Sequence, residues 1–170
     1  MSSKAERFVL WFDELGKEEV PIVGGKSASL GEMTSKTKVP VPYGFATTAA
    51  AYRYFIKQTG LDVKLAEILE ELKDPNDTQT LQKVGRAIRE AIVAVKMPED
   101  LEEEIKKAYR ELAEKYGEPD PYVAVRSSAT AEDLPDASFA GQQETYLNVK
   151  VEGLTAEKVQ ECFASLFTDR

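Results

Sequence analysis

Arg126 closes a strand-like run, Tyr122-Val123-Ala124-Val125-Arg126, and is followed by Ser127, Ser128 and Thr130. A guanidinium presents a planar fork of donors that matches phosphate or carboxylate oxygens two at a time, and neighbouring hydroxyls add single donors beside it. Farther along, Phe139-Ala140-Gly141-Gln142-Gln143 sets small residues next to two amide side chains, so backbone could approach a ligand closely there. A second anion-suited stretch lies near the start of the chain. Gly24-Gly25-Lys26-Ser27 precedes a helical pattern through Ala28, Leu30 and Met33, which would put backbone N–H groups and an ammonium at a helix N-terminus.

Each stretch has an ordinary alternative. Arg126 could pair with Glu132 or Asp133 inside a long hairpin loop, and Gly-Gly-Lys could be a turn with a solvated lysine. The P-loop pattern fails here, because the glycine it requires five residues before the Gly-Lys pair is Val20. Glu132 and Asp133 carry oxygens of the type hard cations prefer, but the sequence gives no basis for assigning them a metal. No catalytic residue is assigned in this chain.

The elements that must position these groups follow from periodicity. Phe8 to Phe12 reads as a buried strand, and Asp13 to Val20 as a charged connector. Lys38 to Thr48 reads as extended, with Tyr43, Phe45 and Val41 able to pack inward. Thr48 can cap a helix through Tyr52, Phe55 and Ile56 that stops at Gly60, its aromatic stripe being core rather than a base pocket. Three further helices follow: Leu61, Leu65, Ile68, Leu69 and Leu72 mark the first, Leu81, Val84, Ile88, Ile92 and Val95 the second. Leu101, Ile105, Ala108, Leu112 and Tyr116 mark the third, closed by Gly117. Charge runs such as Glu102-Glu103-Glu104 and Lys106-Lys107 belong to solvated faces. Thr145, Leu147 and Val149 alternate with Tyr146, Asn148 and Lys150 and read as a second strand, and a last helix carries Val159, Cys162, Phe163, Leu166 and Phe167 on its apolar stripe.

Composition bounds the rest. The 170 residues can bury a core as one domain, and 42% hydrophobic with 31% charged residues is an ordinary globular balance. A net charge of −8 argues against nucleic acid as a partner, and no apolar run approaches membrane-spanning length. With no signal-like start and a single cysteine, the cytoplasm is the expected compartment; a homodimer is compatible with all of this. The chain has no histidine, which removes the commonest general base and metal ligand.

Three separated stretches, Gly24 to Met33, Val41 to Thr48 and Val125 to Val149, resemble in wording and order the nucleotide-binding domain of the phosphoenolpyruvate synthase and pyruvate, phosphate dikinase family. The same domain occurs more distantly in glucan, water dikinases and rifampicin phosphotransferase. The resemblance covers nearly the whole chain. It implies an α+β fold, the first subdomain of an ATP-grasp nucleotide-binding domain, incomplete without a second half. It also implies ATP as ligand with Mg2+ as cofactor, the metal's ligands falling outside this segment. The site it implies comprises Gly24, Gly25, Lys26, Arg126, Ser127, Ser138, Gly141, Gln142 and Gln143, with Lys26 and Arg126 on the phosphates and the Ser138 to Gln143 loop closing over them. Phosphate would pass to a histidine on another domain and thence to pyruvate on a third, both absent here. A non-catalytic nucleotide- or partner-binding module, or the ATP domain of a dikinase with another acceptor, is the alternative.

Overall fold

The computed structural model describes residues 3–37, 39–74, 76–130, 133–134, 137–138 and 144–167. Of the residues implicated above, Glu132, Gly141, Gln142 and Gln143 lie outside the described residues, as do the side chains of Asp133 and Ser138.

The apolar start of the chain becomes β1 (Val9–Trp11), which pairs antiparallel with β2 (Phe45–Thr47) in the register Val9↔Thr47, Leu10↔Ala46, Trp11↔Phe45. Between them the charged connector folds as two short 3-10 turns, Phe12–Glu14 and Lys17–Glu19, and leads into α1 (Val20–Lys36). Leu10, Leu15, Val23, Ala28 and Ala46 close a small core where α1 meets the two strands. Gly31 is required in α1 because Leu15 lies where a Cβ would stand. Tyr43, expected to pack inward, is instead 60% exposed; its ring stands edge-on to Tyr116, with the Lys115 ammonium 5.3 Å above it.

Five helices build the larger core. Thr48 caps α2 (Ala49–Gln58), its Oγ1 accepting from the Ala51 N–H at 3.3 Å while donating to the Arg7 carbonyl at 2.5 Å. Gly60 ends that helix in the left-handed region, and α3 (Leu61–Leu69) starts at once. The Asp77 carboxylate caps α4 (Thr78–Ala94), and Gly117 at φ +68° terminates α5 (Glu99–Tyr116). The 3.6-residue stripes point inward as their spacing requires: Phe55, Leu61, Ile88, Ile92, Leu101 and Ile105 are each at most 1% exposed. The acidic and basic runs of α5 face water, with Lys106 paired to Glu102 at 2.6 Å and Arg110 bridging Glu103 and Glu152.

The site-bearing ribbon is β3 (Val123–Arg126) against a later strand, with two tiny paired strands, β4 (Asp133–Leu134) and β5 (Ala137–Ser138), in the span between them. The later strand is β6 (Thr145–Val149), antiparallel to β3 with Arg126 opposite Thr145 and Val125 opposite Tyr146. One residue farther from the mouth the register slips, so that Val123 faces Val149; Asn148 takes φ +56° at this bulge. The strict alternation expected of Thr145, Leu147 and Val149 is thereby broken. Val149 is buried at 3% exposure, whereas Leu147 is turned out at 68%.

On the inner side the ribbon is covered by α6 (Glu152–Ala164), which also packs on α4 and α5. Val159, Cys162 and Phe163 are buried on the predicted stripe, while Leu166, past the helix end, is 42% exposed. One side chain ties together the two chain ends at the root of the ribbon. The Tyr109 hydroxyl, on buried α5 surface, donates to the Pro121 carbonyl at 2.8 Å and accepts from the Val151 N–H at 3.1 Å. Val151 is held at φ +65°, a conformation a β-branched residue adopts only under such constraint.

Candidate functional site

The glycine pair does not simply precede a helix. The chain is already helical from Val20, Gly24 interrupts it at φ +79°, ψ 167°, and the helix resumes at Gly25. That combination of angles is open to glycine and almost nothing else. Lys26 and Ser27 therefore sit in the first turn of a new helical segment, as the sequence spacing implied, though by interruption of a helix and not by its start. Gly24, Gly25 and Ser27 are buried, and Lys26 is half-buried.

Arg126 occupies the last position of β3 and is exposed. Ladder pairing continues one step beyond it, with the Ser127 N–H donating to the Glu144 carbonyl at 3.2 Å and the Ser127 hydroxyl reaching the same oxygen at 3.4 Å. Ser127 is 5% exposed, so it helps build the mouth of the ribbon and presents little surface to a ligand. Along β3 exposure alternates, placing Arg126 on the face turned away from α6, on the same side as Ala124.

The two stretches singled out in the sequence meet. The Gly25 N–H donates to the Ala129 carbonyl at 3.3 Å, the Ser27 N–H to the Ser128 hydroxyl at 3.1 Å, and the Lys26 ammonium to the Ser127 carbonyl at 3.4 Å. Segments 101 residues apart are thus bonded backbone to backbone and side chain to backbone at one spot. The expectation of open N–H groups at this helix N-terminus is corrected by the same bonds. Gly25 and Ser27 direct theirs at the chain itself, because a serine and a carbonyl fit against the bare Cα of Gly24; a Cβ there would lie 2.5 Å from the Ser128 carbonyl oxygen and hydroxyl. What the arrangement can offer an anion is consequently side-chain chemistry: the Lys26 ammonium, which rests on the Ser127 carbonyl, and the exposed side chain of Arg126, the residue before it.

Other reactive groups nearby are held inactive. Burial pushes the Cys162 thiol up to about 12, reinforced by the carboxylates of Glu161 and Glu144, so it is no nucleophile at neutral pH. The Tyr146 hydroxyl is likewise raised, first by burial and then by Glu161. Among the described residues no group of three or more Asp, Glu, Cys or His side chains is arranged to hold a metal, and no helix is long and apolar enough to cross a membrane. Ser128, which the sequence offers only as one of the hydroxyls following Arg126, is the side chain that joins the two stretches.

Known proteins share this arrangement of sequence. Residues 20–170 match the family described as pyruvate phosphate dikinase, AMP/ATP-binding domain. The probable phosphoenolpyruvate synthase of Staphylothermus marinus is 54% identical over 169 residues, covering 98% of this chain and 20% of that protein. That of Methanocaldococcus jannaschii is 55% identical over 164 residues, covering 96% of this chain and 14% of the relative, and the phosphoenolpyruvate synthase of Synechocystis sp. is 50% identical, covering 100% and 22%. The chain spans between 14% and 22% of the length of these relatives. By a family match over residues 20–170, nearly its whole length, the chain belongs to the pyruvate phosphate dikinase AMP/ATP-binding domain family.

Proposed function

We propose that this chain forms one wall of an ATP site, the first subdomain of an ATP-grasp domain, and that Lys26 and Arg126 hold the triphosphate. The observation that carries this reading is the direct bonding of the Lys26 helix turn to the residues that follow Arg126. That bonding brings together the two chain segments that bear these cations, with the Gly25 and Ser27 N–H groups already engaged. Lys26 acts as a point charge and Arg126 as a bidentate clamp. Gly24 and Gly25 shape the turn, Ser127 secures the ribbon mouth, and Ser138, Gly141, Gln142 and Gln143 belong to the segment that closes over the phosphates.

Phosphoryl transfer asks a protein mainly to position the group and to neutralise the charge that spreads over its oxygens. This wall orients the triphosphate and lowers the cost of that charge; the chain has no histidine and its cysteine is buried and protonated, so neither of those groups serves as nucleophile here. Mg2+ bound with ATP would neutralise further charge, its protein ligands coming from beyond this chain. In the longer protein the phosphate passes to a histidine on a separate domain, and the overall reaction is that of a pyruvate, water dikinase: ATP, pyruvate and water give AMP, phosphoenolpyruvate and phosphate. Pyruvate, and any homodimeric assembly, belong to that longer protein.

The test is a calorimetric titration of the chain with Mg-ATP, repeated on Lys26→Ala and Arg126→Ala after their folding is checked by circular dichroism. The expected result is weak binding that falls in both variants. Binding that survives both substitutions unchanged removes the phosphate clamp and favours a non-catalytic module using the same scaffold.

A further inference from the structure

We infer that Ser128 is the N-cap of the helical segment carrying Lys26, supplied from the far side of the site, and that it positions Lys26 against Arg126. The inference rests on the phosphate reading above. An N-cap residue ordinarily offers a side-chain oxygen to the N–H of the second or third helical residue. In the segment that resumes at Gly25, the cap position is Gly24 and the third residue is Ser27. Gly24 has no side chain to give. The oxygen found on the Ser27 N–H is the Ser128 hydroxyl, 3.1 Å away and 101 residues along the chain. The first helical residue is served from the same source, its N–H donating to the Ala129 carbonyl at 3.3 Å.

The missing side chain and the borrowed one explain each other. Only because Gly24 lacks a Cβ can Ser128 stand close enough to reach Ser27, since a Cβ would lie 2.5 Å from the Ser128 carbonyl oxygen and from its hydroxyl. A cap made this way is also a tie between elements. It fixes the first turn of the Lys26 helix relative to the chain two residues after Arg126, and so sets the separation of the two cations without touching a ligand. Two N–H groups of this helix N-terminus, of the kind that elsewhere bind phosphate, are here engaged in holding the site together.

The experiment uses the whole chain and inorganic tripolyphosphate as probe, in calorimetric titrations of the native protein, Ser128→Ala, Lys26→Ala and the double variant, with amide hydrogen exchange at Ser27 measured in parallel. Thr48→Ala serves as control, since it removes an N-cap of the same kind from α2 and leaves the site alone. Ser128→Ala is expected to weaken tripolyphosphate by roughly three- to tenfold, as the competent arrangement becomes a minority of the population. In the Lys26→Ala background the same change should add less than about twofold, because Ser128 acts through Lys26. Thr48→Ala should leave affinity unchanged at comparable loss of stability. Ser27 N–H exchange should be slow in the native chain and accelerated in Ser128→Ala. Native Ser27 exchanging as fast as an exposed amide overturns the cap, whether or not any anion binds. A slowed Ser27 with affinity unmoved in Ser128→Ala, or moved equally by Thr48→Ala, overturns the positioning role. Failure of the native chain itself to bind tripolyphosphate overturns the phosphate reading, and the positioning role with it, while the exchange data still decide the cap.

Discussion

Replacing Gly24 by alanine separates two costs that the structure keeps side by side. The first is conformational. Gly24 sits at φ +79°, ψ 167°, where an L residue is strained by about 1–3 kcal/mol. The second is steric: the new methyl would lie 2.5 Å from the Ser128 carbonyl oxygen and 2.6 Å from its carbonyl carbon, so backbone must move and the bond from Ser27 to Ser128 is lost. Loss of such a cap costs about 0.5–2 kcal/mol. Together the substitution should lower unfolding free energy by about 1.5–5 kcal/mol. For a chain of this size that corresponds to a fall in Tm of about 3–20 °C. Gly60→Ala provides the comparison, for Gly60 is also left-handed at φ +69° but has nothing within 4 Å of a Cβ, leaving strain alone at about 1–2 kcal/mol. Urea unfolding of both variants, with midpoint and slope compared to native, gives the two values. If Gly24→Ala is no worse than Gly60→Ala, the close packing of Ser128 on Gly24 has no energetic content and the reasoning fails.

The remaining tests address the scaffold. Tyr109→Phe removes the donor to the Pro121 carbonyl and the acceptor for the Val151 N–H, and should cost about 1–3 kcal/mol by chemical denaturation. Phe55→Ala, at a side chain with no exposure in the helical core, should cost about 3–5 kcal/mol by the same measurement. The Cys162 thiol has a folded pKa raised above its ordinary value, so the fold favours the protonated form: its contribution is complete below the ordinary thiol pKa and declines as pH rises toward about 12. Tm followed from pH 8 upward should therefore fall more steeply in the native chain than in Cys162→Ala, and a native thiol that reacts quickly with an alkylating reagent at pH 8 would contradict the burial.

Much of the helical framework was readable because its causes are local. Stripes such as Leu101, Ile105 and Leu112 repeat at helical spacing, and Thr48, Gly60 and Gly117 mark ends by chemistry confined to one turn. The two halves of the candidate site were readable as residue types suited to anions. Their junction was not, since the bond from Ser27 to Ser128 depends on how distant elements pack. The bulge at Asn148 escaped notice for a related reason: alternation of Thr145, Leu147 and Val149 is a statement about an undistorted strand, and the slip relative to Val123 is decided by the partner. Tyr43 was misjudged because an aromatic in an extended segment can be satisfied at the surface, here by Tyr116 and Lys115.

The hydroxyl of Tyr109 gathers Pro121 and Val151 to a single point, and with them the whole stretch of chain in between. That stretch is a loop closed at its base, and the entropy of closing a flexible loop grows only logarithmically, by about 0.6 kcal/mol for each doubling of length. Residues could therefore be added between β3 and β6 with small effect on the ribbon, so long as the knot at its root is kept.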